Sequence, residues 1–255
     1  MKRHFSKLSD ISFLHFVKLI FRSVLFLAAT GLYVFNRIRH TGEPFSNLEE
    51  KSWLLGVIWL IFAVEMALRF FPSSMESMGC QKQFRKNYIP TGTPAQKPTV
   101  PKSVWLIAGL WIALNAVIGA LYFARILDKG ILLLISLAFS VCDMICILFF
   151  CPFQTWFMKN KCCTGCRIYN WDYAMMFTPL AFIGNFFAGT LFGLALLLLI
   201  RWEVTAHLHP ERFSETTNAC LSCANCREKL CHHKKQLRGF WKKNRHRLPF
   251  LKGEK

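Results

Sequence analysis

Residues 173–200, YAMMFTPLAFIGNFFAGTLFGLALLLLI, contain no Asp, Glu, Lys or Arg, and the charges resume only at Asp172 on one side and Arg201 on the other. As one helix the stretch would be about 42 Å long. That exceeds a hydrocarbon core of about 30 Å and suits a tilted crossing. A hairpin in the same stretch would leave about 14 residues per leg, too few for two full crossings. The expectation is therefore a single span, capped by Asn170 or Asp172, with Pro179 and Gly184 disturbing only its first turns. Ala181, Asn185, Gly189 and Gly193 recur at every fourth position. Small residues let helix backbones approach closely in lipid, so this stripe predicts a packing face, against this chain or a second copy of it.

Outward from this stretch the same pattern repeats. Apolar types make up 53% of the 255 residues, with 25 Phe and 8 Trp. They fall into runs near residues 13–35, 52–71, 103–124 and 131–150. The reading is an all-α, polytopic integral membrane protein with about five transmembrane helices over residues 1–203, followed by a short, basic, cysteine-rich soluble tail over 204–255. The first run reads as an anchor, because no small-residue cleavage site follows it. Lys18 and Arg22 interrupt it one turn apart, and the expectation is that they snorkel to the headgroups; a helix lying in the interface is the alternative. Residues 72–102 carry five prolines and read as a connecting segment, extended in its second half.

Two carboxylates lie deep in these runs. Glu65 stands one turn before Arg69, the spacing and order that favour an intrahelical ion pair. Asp143 lies beside Cys142, with Cys146 one turn further on. A charge at membrane depth is expensive unless paired or facing a polar cavity, so Glu65 and Asp143 are either structural partners or proton and ligand groups.

The formal net charge is +18, from 32 Lys+Arg against 14 Asp+Glu. In a membrane protein this follows from the positive-inside bias and from attraction to anionic lipid. The basic run at 234–255 lacks any motif that reads bases, so no specific nucleic-acid partner is expected. The charges do not agree on a topology. Five spans place the termini on opposite faces, yet both the N-terminal half and the tail are rich in Lys and Arg. A continuous span at 173–200 would also put the two cysteine clusters on opposite faces, and only a re-entrant last segment would let them meet.

Eight of the eleven cysteines form those clusters. The loop at 151–172, CPFQTWFMKNKCCTGCRIYNWD, holds Cys151, Cys162, Cys163 and Cys166. Pro152 favours an extended Cys151, which would end the preceding helix and turn the thiol inward. Lys159, Lys161 and Arg167 would stabilise thiolates. A metal or cluster site, a loop stapled by two disulfides and a catalytic dithiol are all compatible with this spacing. The tail holds Cys220, Cys223, Cys226 and Cys231. Its C-x2-C-x2-C start resembles the first three cysteines of the bacterial ferredoxin run, but the last spacing is one residue longer and His232 stands where that run has proline. Structural zinc, with His232 or His233 in reserve, is the rival to an iron–sulfur cluster.

No nucleotide-binding, zinc-protease or nucleophile-elbow motif occurs, so whether the chain is an enzyme stays open. Three readings remain. The first is a multi-pass membrane redox or electron-transfer protein with cysteine-bound metal or iron–sulfur centres and a redox partner or membrane subunit. The second is a scaffold with a zinc-ordered tail that docks a partner. The third is a small transporter or metal-handling protein using Glu65 and Asp143.

Overall fold

The structure is a computed structural model that describes residues 10–39, 52–71, 82–94, 100–159 and 166–222. Six α-helices carry the fold: α1 Asp10–Arg39, α2 Ser52–Phe70, α3 Lys102–Phe123, α4 Lys129–Leu148, α5 Asp172–Phe177 and α6 Phe186–Leu208. Among the described residues there is no strand, only an isolated bridge between Pro90 and Asn218. Four helices are long and apolar enough to cross a membrane, over Phe13–Arg39, Lys102–Phe123, Lys129–Leu148 and Phe186–Leu208. Much of their surface is exposed Leu, Ile, Val and Phe, as expected where the outer solvent is hydrocarbon.

The direction of each helix follows from its contacts. One end of the bundle, here called the near end, holds the start of α1. Phe16 packs edge-on against Phe149, Arg22 bonds Asp143, and Tyr33 donates to Asp128, so α1 and α4 run antiparallel. α2 returns to the near end, where Arg69 meets Asp172. α3 descends from Ser103, which lies against Met158, to Phe123, which packs on Phe182. α4 then rises from a tight turn. Arg125 adopts a left-handed φ of 59° there, and the Asp128 side chain caps α4 by accepting from the Ile131 N–H at 2.8 Å.

The stretch at 173–200 is not one span. α5 stops at Phe177 because Pro179 offers no N–H and its ring crowds the carbonyl one turn back. The chain continues as a 3-10 segment, Thr178–Phe182, whose Phe182 reaches Gly119 and Phe123 near the far end of α3. Ile183 is extended, and Asn185 caps a new helix by accepting from the Phe187 N–H at 3.0 Å. From there α6 rises past Trp59, which donates to Thr190, back to the near end. There Glu203 takes both guanidinium nitrogens of Arg167 and the Trp171 indole N–H, all at 2.6–2.7 Å. Residues 172–182 therefore descend and α6 returns. The continuous crossing expected from the sequence is replaced by the re-entrant arrangement.

Three further expectations change. Gly189 is exposed, and a Cβ built on Gly189 or Gly193 would meet nothing within 4 Å. Within the chain, the packing face of α6 is Ala188, Leu191, Ala195, Leu198 and Trp202, not the Gly189 stripe. Residues 82–94 are no mere connection: Lys82, Gln83 and Phe84 are buried, and Phe84 packs on Trp202. The tail does not begin at 204. α6 runs on to Leu208, and Asn218, wholly buried, donates to the carbonyls of Lys82 and Arg212 while Ala219 donates to Ile89. These contacts pack the described chain after α6, as far as residue 222, against residues 82–94.

Candidate functional site in the bundle

A six-charge network runs from the middle of the bundle to its near end. Arg22 is only 1% exposed and does not snorkel. It donates to Glu65 at 2.7 Å, to Asp143 at 3.2 Å and to the Ser140 carbonyl at 3.2 Å, and its guanidinium lies 5.4 Å from the Phe62 ring centre. Lys18 approaches Glu65 at 3.4 Å, and the Tyr173 hydroxyl donates to Glu65 at 3.0 Å. Arg69 pairs with Asp172 at 2.6 Å and lies 4.6 Å from the centre of the Tyr173 ring. The helical spacing suggested Glu65 with Arg69; the structure sends these two side chains to different helices, so each ion pair ties one element to another. Three cations face three carboxylates, and their formal charges cancel. A balanced network is what low dielectric favours, since an unpaired ion there would carry its whole desolvation penalty.

Beside this network lies a cavity of about 280 Å³. α3 contributes Ile107, Leu110, Trp111 and Leu114, and α4 contributes Cys142, Asp143 and Cys146. The loop adds Cys151, Cys166 and Tyr169, while Asp172 and Met175 close it from α5. Four thiols and two carboxylates thus share one otherwise apolar chamber. Asp143 uses Oδ2 for Arg22, and its Oδ1 has no hydrogen-bond partner among the described residues. The Trp111 indole N–H is buried without a hydrogen-bond partner.

The cysteines are placed by the way α4 ends. Its last turn closes with Phe149 donating to Ile145, and Pro152 opens a π-turn, Phe153–Phe157, in which Met158 donates to Phe153. Such turns are frequent at functional positions. The break folds Cys151 back on the helix, so that Cys146 is hydrogen-bonded to Cys151, and Cys151 Sγ also accepts from the Gln154 N–H at 3.4 Å. The thiol expected to turn toward the loop instead lies against the end of α4. Cys142 lies one turn before Cys146 and is exposed. Cys166 is buried against Val104, Ile107 and Ile168.

Of the eight cysteines expected to hold metal, Cys162, Cys163, Cys223, Cys226 and Cys231 lie outside the described residues. Cys151 and Cys166 share the cavity. Cys220 follows Asn218 at the same end of the bundle, in a turn where Asn218 accepts from the Cys220 N–H. The loop and the tail are tied to one small platform: Asn170 donates to Gln83 at 2.7 Å, and Asn218 donates to Lys82 next door. Cys166 and Cys220, the one from the loop and the other from the tail, are therefore not separated by the bundle. Among the described residues no group of three or more His, Cys, Asp or Glu is arranged to hold a metal ion.

Sequence reasoning missed Asn218, Gln83 and Trp111. Asn218 follows a Ser/Thr-rich turn and resembles any loop asparagine, and Trp111 is one apolar residue among many. Asn185, preceded by glycine and followed by an apolar run, carried a readable capping signal. Comparison with protein-family models, with curated proteins and with solved structures finds no match.

Proposed function

We propose that the protein is a multi-pass membrane thiol redox protein whose working pair is Cys146 and Cys151. The observation that carries this reading is the direct contact of the two side chains across the broken end of α4, in the wall of a chamber that also holds Cys142 and Cys166. Two thiols in contact can lose two electrons and two protons and join as a disulfide without moving a helix. The attacking species is a thiolate, so a nearby base is needed. Asp143 stands three residues before Cys146, on the same helix face, and has an unbonded oxygen for that proton. Cys142, one turn deeper, can exchange into the pair.

In this reading α2 joins the four long apolar helices as a fifth span, and residues 172–182 make a partial sixth passage. Both described termini then lie at the near end, with Lys82, Arg85, Lys86, Lys102, Lys159, Arg167 and Arg212. Arg37, Arg39, Arg125 and Lys129 lie at the other. The positive-inside bias favours a cytoplasmic near end, and the sequence's conflict between a basic N-terminus and a basic tail disappears.

The test is oxidation of the purified protein with diamide in detergent, followed by peptide mass spectrometry. A Cys146–Cys151 disulfide that reforms after reduction is expected, and its absence, with both cysteines recovered as thiols, overturns the reading.

A second reading keeps the zinc or iron–sulfur centre. It is favoured by the shared platform of Asn170 and Asn218, which puts Cys166 and Cys220 at one end. Metal analysis and visible absorption of protein prepared without oxygen decide it. Stoichiometric zinc or a bleachable band near the usual cluster wavelengths supports it, and metal-free, colourless protein removes it.

A further inference from the structure

We infer that the chamber beside Cys146 binds the ring of a lipid-soluble quinone, which enters sideways from the bilayer between α3 and α4 and takes the electrons of the thiol pair. This rests on the thiol reading above and adds the substrate class.

The mouth of the chamber indicates the phase its occupant comes from. Leu110, Leu114 and Cys142 line the chamber and are also exposed on helices long and apolar enough to cross a membrane. An exposed leucine at that depth faces hydrocarbon, so a ligand arriving there is dissolved in lipid. The volume of about 280 Å³ is close to the lower end of small-molecule sites, about 300–1,000 Å³. It accommodates one substituted ring and leaves a prenyl tail outside among the lipid chains.

The walls indicate the chemistry. Trp111, Phe139, Phe153 and Tyr169 offer aromatic faces. The thiol pair needs an acceptor of two electrons and two protons, and one that arrives from lipid is apolar. Asp143 and Asp172 border the space but are each paired to an arginine, Arg22 and Arg69, so no fixed charge is left over for a charged occupant. A neutral, flat, apolar molecule whose carbonyl oxygens take up protons and electrons fits each of these constraints.

The electron count closes. Cys146 and Cys151 each give up a proton and one electron, and a sulfur–sulfur bond forms between them. The quinone takes both electrons and both protons to become the quinol, with Asp143 passing on the proton it receives from Cys146. An external dithiol returns the pair to the thiol state.

The experiment uses the full chain in detergent, reduced and freed of reductant under nitrogen, with a short-chain ubiquinone analogue and menadione as probes. One quinol formed per Cys146–Cys151 disulfide is expected. Trp111→Ala, which removes an aromatic wall, should weaken quinone binding about 3-fold to 10-fold, the span of a single lost aromatic contact, while diamide still forms the disulfide. Leu114→Trp, which fills the mouth, should reduce quinone oxidation of the pair without affecting diamide. If diamide makes the disulfide but neither quinone does, the quinone inference is overturned and the thiol pair stands. If diamide makes no such disulfide, the thiol pair itself falls. Quinone reduction that both Trp111→Ala and Leu114→Trp leave unchanged would place the reaction elsewhere and overturn the site.

Discussion

Arg22 is the residue on which the most depends. Removing it leaves Glu65 and Asp143 as buried carboxylates without their principal cation, and breaking a buried pair from one side typically costs about 3–5 kcal/mol. Arg22→Met should therefore lower the thermal stability of the detergent-solubilised protein severely. Replacing the whole local set, Lys18→Met and Arg22→Met with Glu65→Gln and Asp143→Asn, should recover much of the loss, because no unpaired charge remains. The recovery is read from melting curves of the single and quadruple variants. If Arg22→Met alone melts like the parent, the network does not hold the bundle together. The sequence showed that Glu65 and Asp143 needed an explanation. It could not show that Arg22 supplies it, because a cation one turn from Lys18 near a helix end reads equally well as a snorkelling residue. Which way a side chain turns is decided by what the other helices offer it, here Glu65 from α2 and Asp143 from α4.

At the level of elements, helices α1 to α4 were readable from apolar length alone. The stretch at 173–200 was not, because absence of charge measures only how much chain can sit in lipid. It does not say whether that chain passes once or folds back. The punctuation is present in Pro179 and in Gly184-Asn185, residues that either disturb a helix's first turns or end it. Two glycines separate the two readings. Gly119 faces Phe182, whose ring would lie 2.7 Å from an added Cβ, whereas Gly189 has open space. Overpacking a tight contact costs about 1–3 kcal/mol. Gly119→Ala should thus destabilise the protein by roughly that amount in thermal melts, while Gly189→Leu should leave the melting temperature of the monomer unchanged. Asn185→Ala should cost about 1 kcal/mol through the lost cap. If Gly189→Leu proved the more damaging substitution, the α6 face assigned by the contacts would be wrong.

At the scale of the whole molecule, the fold-back of residues 172–182 changes which surfaces share a compartment. With one continuous span, Lys102 and the tail would lie on opposite sides of the membrane. With the observed arrangement they lie together. Lys102 opens α3 at the near end beside the loop, and Glu215 sits in the turn between the segments that Trp202 and Asn218 hold against residues 82–94. Ala124 closes α3 at the other end. All three positions are exposed, so each can carry a reporter thiol in a background whose native cysteines are replaced. In sealed vesicles of known orientation, a membrane-impermeant maleimide should label Lys102→Cys and Glu215→Cys from the same side, and Ala124→Cys only from the other. The pair at 102 and 215 is the decisive one, because the two topologies differ for it and agree for 102 and 124. Labelling of Lys102→Cys and Glu215→Cys from opposite sides would restore the single long crossing. It would also separate Cys166 from Cys220 by the full thickness of the bilayer, and no common centre could then be built from the loop and the tail.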